Sequence, residues 1–165
     1  MSLPAHPAHE DSPNLLPPNV FGFEFDNELR RVVRSGRVLT VVTIGAHREV
    51  DGVTSGADDH TVRSVAQAVG KEVRDTDLVG FTDHGIAVVL IDAHFSHSTM
   101  VIERLVSRVA SCGLPENLRL AIGAASYPTD GTDSATLQSQ ARARPLTRWR
   151  PSHRQRTGLQ PSAAS

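Results

Sequence analysis

Two apolar runs, Leu78-Val79-Gly80-Phe81 and Ile86-Ala87-Val88-Val89-Leu90-Ile91, stand only four residues apart, on either side of Thr82-Asp83-His84-Gly85. Gly85 can take the positive φ that a tight turn demands, so the pair is an antiparallel hairpin and the chain must build a sheet around it. Before the hairpin, Val62, Val65, Ala66, Val69 and Val73 recur at i, i+3, i+4, i+7 and i+11, the stripe of an amphipathic helix starting near Asp59. Earlier still, Asp26 to Arg34 places Leu29, Val32 and Val33 at helical spacing. Ser35-Gly36 stops that helix before Val38-Leu39-Thr40-Val41-Val42-Thr43-Ile44, a buried strand. After the hairpin, Ser98 to Ser111 carries a helical stripe through Val101, Leu105 and Val109. Gly113 and Pro115 separate it from Leu118, Leu120 and Ile122, which alternate as in a strand with one buried face. Asp133 or Ser134 caps a final short helix through Leu137, and Pro145 and Pro151 prevent its long continuation. The order α, β, α, β, β, α, β, α predicts an α+β fold, with a central, mainly antiparallel sheet flanked by helices.

The 165 residues, 39% of them hydrophobic, suit one domain with one core. Eighteen acidic residues against seventeen basic ones give no reason to expect a nucleic-acid or membrane partner. The single cysteine, Cys112, excludes an internal disulfide framework and favours a reducing, cytoplasmic setting. The N-terminus has no basic segment followed by an apolar one, and no uncharged run is long enough to cross a bilayer. Residues 1–19, rich in Pro, His, Ser and Asn, are expected to be a flexible leader, and 20–143 the folded domain. Residues 144–165, with Arg144, Arg148, Arg150, Arg154 and Arg156 around the lone Trp149, are expected to be a basic, disordered tail that can touch phosphates or acidic surfaces.

Two blocks agree in order and spacing with a known family. Arg74-Asp75-Thr76-Asp77-Leu78-Val79-Gly80 precedes the hairpin tip, and Ile122-Gly123-Ala124-Ala125-Ser126-Tyr127-Pro128-Thr129-Asp130-Gly131 follows on a later strand. With Glu103-Arg104-Leu105 on the helix between them, these resemble the GGDEF domains of diguanylate cyclases over roughly residues 23–140. The resemblance implies a nucleotide-cyclase-like, ferredoxin-like α+β domain. It stops near residue 141, where relatives continue into a last strand, and loss of that strand would expose a sheet edge.

The resemblance also implies missing chemistry. Joining two GTP molecules into cyclic di-GMP needs divalent metal, held by hard oxygen ligands at the end of the early strand and in the signature hairpin. The five signature positions fall here on Asp83, His84, Gly85, Ile86 and Ala87, so the acidic pair is replaced by Gly85 and Ile86. The early strand ends Thr43-Ile44-Gly45 where the family shows D-x-D. No catalytic residue, metal or cofactor is therefore expected. Asp83 and His84 supply two potential ligands, fewer than a metal site needs, and are expected to be a polar hairpin tip. Asp59 is either a guanine-reading carboxylate or the N-cap of the Val62–Val73 helix.

Active relatives often bind their own product at the R-x-x-D stretch, an inhibitory site. Arg74 and Asp77 occupy its positions, and Arg104 matches a second arginine. A guanidinium suits phosphate and guanine O6/N7, and a carboxylate suits guanine N–H groups. Arg74 and Asp77 serve equally well as a helix-end charge pair. The expectation is a non-catalytic signalling module, a cyclic di-GMP receptor acting through a protein partner or a second copy. Its alternatives are a structural or dimerisation module that binds no nucleotide, and a residual diguanylate cyclase.

Overall fold

The structure is a computed structural model and describes residues 15–151. Seven strands and four helices make up these residues. The strands are β1 (Leu15–Leu16), β2 (Leu39–Val50), β3 (Val53–Gly56), β4 (Leu78–Thr82), β5 (Gly85–Ile91), β6 (Leu118–Tyr127) and β7 (Pro145–Trp149). The helices are α1 (Pro18–Ser35), α2 (Asp59–Gly70), α3 (Phe95–Ala110) and α4 (Ser134–Ala143). The sheet runs β1-β4-β5-β2-β6-β7, with β3 folded back on the far half of β2. Every pairing is antiparallel except β1 with β4.

β2 lies at the centre because both faces of its first half can be buried. It pairs with β5 from Leu39↔Ile91 to Ile44↔Ile86, and on its other side with β6 from Leu39↔Tyr127 to Arg48↔Leu118. Leu39 and Val41 join Ala87, Val89 and Ala125 under α1 and α4, whereas Val42 and Ile44 join Val88, Leu90 and Ile122 under α2 and α3. Successive side chains point to opposite faces, so a strand covered on both sides has an unbroken apolar run. Each large side chain fully buried here contributes about 1.5–3 kcal/mol. Of the two buried threonines at the centre, Thr40 and Thr43, the first is held by two partners: Thr40 Oγ1 lies 2.7 Å from the Ala93 carbonyl and 2.6 Å from Ser126 Oγ.

α1 starts eight residues before the expected Asp26. Pro18 opens it, Phe21, Phe25, Leu29 and Val32 form its buried stripe, and Val33, half exposed, faces away. Gly36, at φ 71°, closes it in the left-handed conformation that glycine adopts without strain. α2 ends at Gly70, so Val73 packs on the core from the following loop. Its N-cap is Asp58 rather than Asp59. The Asp58 carboxylate accepts the Thr61 backbone N–H at 2.7 Å, and that bond holds its pKa below the ordinary value. Asp133 caps α4 in the same way through Thr136.

The eight expected elements are present in the expected order, and three strands are added. β3 follows from Asp51-Gly52, whose φ angles of 52° and 78° turn the chain back along β2. β1 and β7 extend the sheet past both ends of the expected 20–143 domain. Leu15 and Leu16, assigned to the flexible leader, pair with Val79 and Gly80 and send one side chain into each face of the core. Pro145–Trp149, assigned to the disordered tail, pair with β6, so the last strand is present and is itself the sheet edge. Trp149 packs against the core under α2 and α3, which gives this short basic segment the apolar anchor it needs. Residues 1–14 of the leader and 152–165 of the tail, with Arg154 and Arg156, lie outside the described residues.

α4 crosses β6 so closely that a Cβ on Gly123 would lie 2.0 Å from the Ala141 carbonyl oxygen, whereas one on Gly22, inside α1, meets nothing within 4 Å. Gly123→Ala is therefore expected to lower stability by about 1–3 kcal/mol, and Gly22→Ala to raise it by about 0.5–1 kcal/mol. Urea denaturation of the two variants checks both signs.

Candidate functional site

The β4–β5 hairpin turns through Asp83 and His84, and the His84 backbone N–H donates to Thr82 Oγ1 at 3.1 Å. Gly85 follows at φ 135°. A Cβ there would lie 2.3 Å from the Ile44 carbonyl oxygen, so the hairpin rests directly on β2 and only glycine fits. This brings Thr43 and Gly45 beside Asp83, His84 and Gly85 along one cleft of about 780 Å³. The remaining signature positions point elsewhere. Ile86 is buried among the residues under α2 and α3, and Ala87 among those under α1 and α4.

The charged groups lining the cleft are Asp59 and Asp83 against Arg63 and Arg142, with His47 and His84 as titratable neighbours. Arg63 is held by the Phe81 ring, its guanidinium carbon 5.9 Å from the centroid. Among the described residues, no three His, Cys, Asp or Glu side chains gather closely enough to hold a metal ion. The strand and hairpin positions that face each other across the cleft, Thr43, Gly45 and Gly85, offer no carboxylate. The carboxylates lining the cleft belong instead to Asp59 and Asp83. Sequence reasoning missed Arg142, His47 and Arg63. Arg142 sits in the last turn of α4, and the helical spacing from Leu137 is the signal that could have placed it.

A second arrangement forms at the other end of the hairpin. The Asp77 side chain is 2% exposed. Its Oδ2 accepts the Arg74 backbone N–H at 3.1 Å and its Oδ1 accepts the Ile91 N–H at 3.1 Å. The Asp77 N–H donates back to the Arg74 carbonyl at 2.9 Å. One carboxylate thereby ties the loop after α2 to the end of β5. The Arg74 guanidinium is 64% exposed and makes only long contacts, 3.4 Å each, to the two Asp77 oxygens. Its Nη2 donates more firmly to the Ile91 carbonyl at 2.8 Å. Arg104, on α3, reaches the same loop by donating to the Glu72 carbonyl at 3.3 Å, and Arg108 pairs with the Glu72 carboxylate at 2.6 Å.

The structure thus gathers Arg74, Asp77 and Arg104 around one loop, well away from the cleft, but it divides their roles. Asp77 is buried and occupied by backbone donors, so it holds the corner instead of presenting a free carboxylate to a guanine edge. Arg74 keeps an exposed face. Among the described residues, no helix is long and apolar enough to cross a membrane.

No protein-family model matches the chain, and no curated protein matches it. Solved structures do. The GGDEF domain of YfiN (TpbB) from Pseudomonas aeruginosa superposes with a TM-score of 0.61 at 20% identity, over 77% of this chain and 85% of that one. A diguanylate cyclase protein from Thermotoga maritima gives 0.65 at 15% identity, over 81% and 97%. The GGDEF domain of DgcB from Caulobacter crescentus, solved in complex with cyclic di-GMP, gives 0.60 at 15% identity, over 78% and 82%. With helices on both faces of a mainly antiparallel sheet and a hairpin leaning on its central strand, the chain has the fold of the GGDEF domains.

Proposed function

We propose that this chain is a non-catalytic GGDEF-like signalling module that binds cyclic di-GMP at the corner formed by Arg74, Asp77 and Arg104. The observation that carries the reading is the division of labour at that corner. A buried Asp77 fixes the backbone, and an exposed Arg74 presents a guanidinium beside a loop that Arg104 also reaches. Arg74 would engage a phosphate oxygen or the O6/N7 edge of guanine, to which a planar fork is matched. Asp77 would act by positioning Arg74. The absence of chemistry is supported by Thr43, Gly45 and Gly85 in the cleft and by Ile86 in the core, positions where carboxylates would have to hold metal.

A structural or dimerisation module that binds no nucleotide is the second reading, favoured by one fact: Asp77 already has both oxygens engaged by the protein's own backbone. The two readings separate on a calorimetric titration of cyclic di-GMP into the purified chain. A receptor gives saturable heat, and Arg74→Ala weakens binding by about tenfold or more, the worth of one charge-assisted hydrogen bond. Silence at saturating ligand rejects the receptor and leaves the structural module. Asp77→Ala is expected to cost about 2–4 kcal/mol of stability with or without ligand, because it strands two N–H groups; thermal denaturation measures it. Incubated with GTP and magnesium, the purified chain is expected to form no cyclic di-GMP, and product detected by chromatography would restore the cyclase reading.

A further inference from the structure

β7 ends the sheet, and among the described residues no strand pairs with its outer edge. Such an edge has a row of backbone donors and acceptors ready for one more strand. Its register with β6 skips Leu146: Ile122 faces Thr147 and Gly123 faces Pro145. Leu146, 46% exposed, is thereby turned into a pocket of about 590 Å³ together with Phe95, 40% exposed, Tyr127 and Pro128. Arg144 and His94 stand in the same pocket, whose acidic member, Asp130, is already engaged by the Ser126 N–H at 2.8 Å. Arg148 and Arg150 continue the line, both exposed and neither in an ion pair among the described residues. No acidic residue lies between Arg142 and Pro151.

We propose that the β7 edge docks an extended acidic segment of another protein, which adds as a further strand, lays an apolar side chain in the Phe95–Leu146 pocket and sets carboxylates against Arg144, Arg148 and Arg150. Charge selects this occupant. A second copy pairing edge to edge would bring arginine against arginine, and Pro145, the bulge and the basic side chains are the devices by which edges resist pairing with themselves. They do not repel an acidic strand, which the same arginines attract. The site is independent of Arg74.

The test uses the full chain and an end-blocked peptide, Glu-Val-Glu-Phe-Glu-Val-Glu. Trp149 is the sole tryptophan and lies on β7, so its emission reports occupancy directly. The expected result is a saturable change in Trp149 emission, with slowed amide exchange confined to residues 145–149. Binding should weaken about tenfold in Arg148→Glu/Arg150→Glu, two exposed positions whose exchange leaves the core intact. It should be lost when Lys replaces Glu in the peptide or when alternate peptide nitrogens are methylated, and kept in Arg74→Ala. No saturable response, or protection elsewhere in the chain, overturns the proposal. So does binding that tolerates methylation, since that is charge without strand addition. A concentration-dependent dimer that blocks the peptide gives the edge to a second copy, and tighter binding of oligothymidylate at the same amides gives it to single-stranded nucleic acid; either result also overturns it.

Discussion

The buried carboxylate of Asp77 is where two segments of the chain are tied together. It accepts one N–H from the loop after α2 and one from the end of β5, while its own backbone closes a turn on Arg74. A buried acceptor satisfied by two backbone donors resists displacement, because moving it leaves both donors dry and unpaired. The next residues inherit the order it imposes. Asp92, at φ 57°, turns the chain so that its N–H meets the Val38 carbonyl and its carboxylate meets Arg37, and Ala93 then offers its carbonyl to Thr40 at the centre of the sheet. At the opposite end of the hairpin, Gly85 presses on Ile44 with no room for a side chain. Between these two fixed points the register of β4 and β5 against β2 has little freedom.

The two ends of the hairpin have different chemical characters. At the tip, the glycine contact and the β2–β6 pairing shape a cleft whose lining mixes arginine, histidine and two aspartates. Shape alone performs no phosphoryl chemistry, which depends on charge placed at defined atoms. At the base, a buried anion is held by backbone donors and is touched only by long contacts from the exposed Arg74. Exposed arginines near a fixed backbone are suited to reversible recognition of an anion, and that contrast is why the functional reading rests on Arg74 and Arg104 and not on the cleft.

Much of this was legible in the sequence, for physical reasons that also mark where legibility ended. The hairpin, the central strand and the α2 stripe announce themselves because periodicity reports which faces are buried. The α1 stripe was found only in its second half, since Phe21 and Phe25 follow a proline-rich stretch that suggested disorder. β1 is two residues long and exists through pairing with β4, which no local pattern encodes. β3 was signalled by Asp51-Gly52, a strong turn dipeptide hidden by the polar strand residues around it. β7 gave little signal because five arginines from Arg144 onward outweighed one partly buried Trp149. At the site, the resemblance named Arg74, Asp77 and Arg104, and the structure places them around one loop, but no sequence pattern can say which atoms a carboxylate faces. That Asp77 is spent on backbone donors became visible only with three-dimensional geometry.

The central claim is that Asp77 holds Arg74 in place while Arg74 meets the ligand. An NMR titration with cyclic di-GMP tests it most directly, followed at the backbone amides of Arg74 and Ile91 and at the Arg74 Nε–H. The account predicts that the Nε–H resonance shifts with saturation while both amides keep their protection from solvent exchange, because the carboxylate stays where it is. Loss of protection at the two amides on binding would mean that Asp77 leaves the backbone for the guanine, and an unmoved Arg74 Nε–H would mean that the corner is purely structural; either result contradicts the claim.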